Sequence, residues 1–82
     1  MTVKYILSVT ETEVEEGRFF NLRLSDERGN TSYVNALPYE KFIGEIKEGE
    51  HVIVEYAQSG RPRTITNASG ETIYSDAALS LT

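Results

Sequence analysis

PYEKFIGEIKEGEHVIVEY, Pro38 to Tyr56, changes its hydrophobic period midway and so decides the architecture. In its first half Tyr39, Phe42, Ile43 and Ile46 recur at i, i+3, i+4 and i+7, the spacing of one helical face. Pro38 suits a first helical turn, where its missing N–H removes no internal bond. Lys47 complements the negative end of a helix dipole, and Gly49 is a natural residue on which to leave the helix. The spacing therefore predicts a short helix beginning near Pro38. His51-Val52-Ile53-Val54-Glu55-Tyr56 then reads as a strand, rich in β-branched and aromatic residues.

Upstream, Thr2 to Val14 reads as one long strand. Plain alternation puts Val3, Tyr5, Leu7 and Val9 on one face, with Lys4, Ile6, Ser8 and Thr10 on the other. Glu11, Glu13 and Glu15 share a side before a turn at Glu16-Gly17. They read as a solvated strand end, because a Ca²⁺ loop needs more oxygens at closer, curved spacing. Arg18 to Ser25 alternates with Phe20, Leu22 and Leu24 on an apolar face and Phe19, Asn21, Arg23 and Ser25 opposite. Asp26 to Asn30 is a turn. Thr31 to Ala36 follows as a strand, with Val34 and Ala36 inward and Thr31, Tyr33 and Asn35 outward.

Downstream, Gln58-Ser59-Gly60 is a hairpin turn, and Arg61 to Asn67 is a strand with Pro62 at its start or on an edge. Ala68-Ser69-Gly70 turns the chain into a short return strand, Glu71 to Tyr74. The tail, residues 75–82, either frames one turn of helix or frays. Val3, Leu7, Val9, Phe20, Leu22, Leu24, Val34, Phe42, Ile46, Val52 and Val54 form the expected core, with Tyr5 and Tyr56 at its edge.

The whole chain, 82 residues, has room for a single domain with one modest core. It is 39% hydrophobic and 26% charged, too apolar for disorder. No apolar run approaches the roughly 20 residues of a membrane span, and the N-terminus lacks the apolar core and cleavage site of a signal peptide. With no cysteine, neither disulfides nor thiolate metal sites can staple the fold. These features point to a cytoplasmic protein held together by packing. Net charge is −5, which opposes simple capture of nucleic acid or anionic membrane unless a local patch runs against the sum.

The order of elements is strand, strand, strand, short helix, strand, strand, with a short sixth strand after them. A helix between the third and fourth strands of a small five-stranded Greek-key β-barrel is the layout of the OB-fold. Phe42-Ile43, Ile46-Lys47-Glu48-Gly49 and Glu50-His51-Val52-Ile53-Val54-Glu55 resemble the corresponding part of bacterial single-strand-binding proteins. There an apolar helix leads through a Lys/Glu-Gly turn into a Val-x-Val strand. The chain departs from that family in having no tryptophan, an aromatic often used there for base stacking.

The OB layout carries an expectation about ligands. They lie across the second and third strands, bounded by the loops between strands one and two and between strands four and five. Here that face carries Phe19, Asn21, Arg23 and Tyr33, flanked by Arg18 on one side and Arg61 and Arg63 on the other. Half of the eight basic residues would gather beside two aromatics. Cations beside stacking platforms suit sequence-tolerant binding of single-stranded DNA or RNA. In that mechanism Phe19 and Tyr33 stack bases, Asn21 offers an amide contact and the four arginines hold phosphates. The competing reading is a protein-interaction or assembly module using the same aromatic face, with a homodimer as the analogous arrangement.

Other chemistries find little footing. His51, the only histidine, neighbours Glu50, but adjacent strand residues point oppositely, and it reads as an ordinary residue at the start of a strand. No G-x-S-x-G, P-loop or H-E-x-x-H pattern appears. Asn67-Ala68-Ser69 fits a glycosylation acceptor, an incidental match without a secretory signal. The sequence thus leads to a non-enzymatic binding domain with no metal and no cofactor.

Overall fold

Strand-forming residues fill six segments of residues 2–76, the part of the chain that the computed structural model describes. They are β1 (Thr2–Val14), β2 (Gly17–Ser25), β3 (Thr31–Pro38), β4 (His51–Tyr56), β5 (Pro62–Asn67) and β6 (Thr72–Ser75). Residues 77–82, most of the tail considered above, lie outside the described residues. The all-β expectation holds, and the short sixth strand is present. All pairings are antiparallel, in one sheet of order β3-β2-β1-β4-β5-β6. Three hairpin-connected strands followed by a fourth that returns beside the first make a Greek-key order. Among the described residues the sheet is open, with β3 and β6 at its edges. No helix among them is long and apolar enough to cross a membrane.

β1 is long because it serves two partners. Thr2 to Tyr5 pair with β4, while Tyr5 to Val14 pair with β2. A bulge between Ile6 and Ser8 lets the strand bend from one partner to the other. The extra residue also reverses the side-chain parity, which overturns plain alternation. Ile6, not Leu7, enters the core and is fully buried, while Val9 packs at the core's margin. Val3 stays 53% exposed, contrary to its expected place in the core.

A second bulge corrects β3. Leu22 pairs with Val34 but Phe20 pairs with Leu37, so Asn35 and Ala36 together span one pairing step. Ala36, expected inward, is exposed, and its φ of 60° is in the left-handed region. Leu37 takes the buried place. The core then comprises Ile6, Leu22, Leu24, Val34, Leu37, Val52, Val54, Ile65, Ile73 and Tyr74, with Val9, Phe42, Ile46 and Tyr56 packed against it.

The largest correction concerns the expected helix. Residues 39–50 contain only a one-turn 3-10 helix, Tyr39–Lys41. The backbone donors of the next residues go to β6 instead: Ile43 N–H and Gly44 N–H both donate to Ile73 O, at 2.9 and 3.3 Å. An isolated bridge joins Phe42 to Tyr74. Gly44 permits this approach, since a Cβ there would stand 3.0 Å from Ile73 Cγ2. A helix this short is marginal in water, and an internal glycine costs it about 1 kcal/mol. Tertiary pairing therefore wins over period. Gly49 does end the crossover with a positive φ of 83°, and its N–H donates to Ile6 O at 2.8 Å.

Candidate functional site

The outer face of β1, β2 and β3 gathers side chains by register alone. Arg23 lies opposite Tyr33 on one flank and Ser8 on the other. Asn21 lies opposite Thr10, and Phe19 opposite Thr12 and Pro38. Ser8, Thr10, Asn21, Arg23, Tyr33 and Asn35 line a shallow depression of about 280 Å³. Tyr33 is 67% exposed there. Arg23 is exposed as well, and among the described residues it makes no ion pair. Phe19, half-buried, lies further along β2, in a separate hollow with Arg18, Pro38, Tyr39 and Glu40.

Parity also sorts the charge. The residues opposite Phe20 and Arg18 on β1 are Glu11 and Glu13, so these carboxylates share the other face of the β1–β2 hairpin. Arg18 belongs with them. Its guanidinium ion-pairs with Glu11, Nε donating at 2.6 Å, and stacks 4.1 Å from the centre of the Tyr39 ring. The Glu11 hydrogen bond and negative charge raise the Arg18 pKa above its ordinary value. Arg18 is thus on the opposite face from Arg23.

Asn21 and Arg61 are tied to the β3 bulge. Asn21 Nδ2 donates to Thr12 Oγ1 at 2.9 Å, and Asn21 Oδ1 accepts from Ala36 N–H at 3.0 Å. The Ala36 carbonyl in turn accepts from Arg61 Nη2 at 3.1 Å. These links run from β1 through β2 and β3 to the turn before β5, bringing that turn against the exposed edge of the sheet. Arg63 is half-buried on β5, at the bulge opposite Glu55 and Tyr56. Of the seven residues expected at the site, Asn21, Arg23 and Tyr33 come together, Phe19 borders them, and Arg61 reaches them through Ala36. Arg18 and Arg63 stand elsewhere.

Ser8 and Thr10 were not expected at the site. Their signal was the even-numbered hydroxyl series Ser8, Thr10 and Thr12, which alternation already places on the face opposite Val9. A second concavity lies at the end of the core. Phe20, Tyr39, Phe42, Ile43, Glu45 and Ile46 line a cleft of about 420 Å³, with Ile43 70% exposed. Two of its lining rings, Phe20 and Phe42, stand 5.0 Å apart between centres, and Phe42 meets the buried Tyr74 behind it at 4.8 Å. His51 packs edge-on to Tyr5 at 4.9 Å, away from both. Among the described residues no group of three or more His, Asp or Glu is arranged to hold a metal ion. No protein-family model, curated protein or solved structure matches this chain.

Proposed function

We propose that this chain is a non-enzymatic, OB-like domain that binds single-stranded nucleic acid on the outer face of β1, β2 and β3. One observation carries the reading: Tyr33, two-thirds exposed, stands directly across from an Arg23 that has no ion-pair partner among the described residues. A flat aromatic beside a cation offers a base a stacking surface and a phosphate a counter-charge. The hairpin carboxylates Glu11 and Glu13 lie on the other face, so the net charge of −5 is not concentrated where the ligand would lie. The Greek-key order supports the OB-like part of the proposal, because in that fold the strand-two and strand-three face takes oligonucleotides.

The test is fluorescence anisotropy of labelled oligo-dT titrated with the protein at low salt. Saturable binding that weakens about tenfold or more with Tyr33→Ala and also with Arg23→Ala is expected. Absence of saturation at the lowest salt would sink the proposal. A protein interface is the second reading, favoured by Ile43 and Tyr39 exposed beside the apolar cleft. It would appear as self-association or partner binding that tolerates high salt and is lost with Ile43→Glu.

A further inference from the structure

The partition of polar groups around the β1–β2–β3 face bears on how a strand would be held there. Among the described residues, Arg23 is the only basic side chain lining the depression. Two arginines the sequence assigns to the same face have other engagements, Arg18 with Glu11 and the Tyr39 ring, Arg61 with the Ala36 carbonyl. Of the two amides that line the depression, Asn21 and Asn35, the first is engaged. Asn21 uses Nδ2 on Thr12 and Oδ1 on Ala36 N–H, which fixes its plane against the bulge. Among the described residues no carboxylate lines the depression.

We infer that the face grips a single strand through one phosphate contact, at Arg23, and one stacked base, at Tyr33, without distinguishing which base it is. The inference rests on the proposed function and specifies the ligand class as any unpaired strand held at one nucleotide step. Stacking accepts every base because each has a π-face, while discrimination needs free donors and acceptors aimed at base edges.

The consequence is a shallow salt dependence. For single strands the slope of log Kobs against log salt is about −0.7 for each phosphate neutralised. One contact predicts an affinity loss of about threefold between 50 and 200 mM salt. Four arginines acting together would predict about fiftyfold over the same range. The experiment is anisotropy on the wild-type protein with labelled dT, dC and dA homo-oligomers across that salt range. Expected are a slope near −0.7, affinities for the three within about fivefold, and a slope near zero for Arg23→Ala. Arg23 is exposed and makes no ion pair among the described residues, so its removal leaves the fold intact.

A slope of about −1.4 or steeper, the value for two contacts or more, would overturn the single-contact claim, because further cations would then be taking part. A preference beyond about tenfold for one base would overturn base indifference. Either result leaves strand binding itself standing. No saturable binding to any of the three at the lowest salt removes both the inference and the reading beneath it.

Discussion

At Ala36 a residue with a Cβ occupies the left-handed region, φ 60°, where glycine is the usual occupant. It is held there by Asn21 Oδ1 accepting its N–H and by Arg61 donating to its carbonyl. Replacing it by glycine relieves about 1–2 kcal/mol of backbone strain and adds about 0.5–1 kcal/mol of unfolded-state entropy. Ala36→Gly should therefore gain about 0.5–1 kcal/mol, read as a higher urea midpoint. Asn21→Ala removes the acceptor of that N–H and should cost about 1 kcal/mol. A loss of stability in Ala36→Gly would mean that the bulge does not carry the strain assigned to it. That Arg23 and Tyr33 share a face was legible from alternation, since the β2–β3 register runs unbroken from the turn through that pair. The engagements of Asn21, Arg61 and Arg18 were not. Those of Asn21 and Arg61 depend on the bulge at Asn35–Ala36, where one extra residue changes which groups meet and leaves no periodic trace. That of Arg18 depends on the register set by the β1–β2 turn, which places it beside Glu11 and Glu13.

Among the elements, the crossover between β3 and β4 departs furthest from its sequence pattern. Tyr39, Phe42, Ile43 and Ile46 carry helical spacing, yet the chain lies extended against β6 and buries the four unequally. Phe42 wedges edge-on between Phe20 and Tyr74, whereas Ile43 turns outward and is 70% exposed. On a helical face the two would be neighbours in one core stripe and truncation would cost similar amounts. On the observed path, Phe42→Ala should cost about 3 kcal/mol and Ile43→Ala no more than about 0.5 kcal/mol. Equal losses in chemical denaturation would count against this path. The strands themselves were legible, with β1 and β4 at their expected limits, because alternation and β-branched content are local properties. The crossover was not, because Gly44 acts through a distant partner. Its missing Cβ admits Ile73, a residue almost thirty positions away in sequence.

For the molecule as a whole, alkaline pH probes whether the sheet and its crossover form one cooperative core. Tyr56 packs against that core and Tyr74 lies within it. Burial raises the hydroxyl pKa of both above the ordinary tyrosine value, and at Tyr74 the charge of Asp76 adds to the rise while Arg61 opposes it. The unfolded chain gives up these protons near pH 10, before the folded protein does. Folding therefore keeps this contribution in full below about pH 10 and loses it as pH rises from there through the folded-state values. The growing negative charge of a chain already at −5 works in the same direction. The urea midpoint should be flat from about pH 7 to 9 and fall beyond about pH 10. The double substitution Tyr56→Phe, Tyr74→Phe keeps both rings and removes both protons, so it should make the decline shallower. Tyr74 touches the crossover through Phe42, and Tyr56 lies on β4. If fluorescence and circular dichroism follow a single transition at every pH, the two regions unfold together. A decline unchanged by the double substitution would assign the alkaline loss to surface charge, and separate transitions would divide the crossover from the sheet.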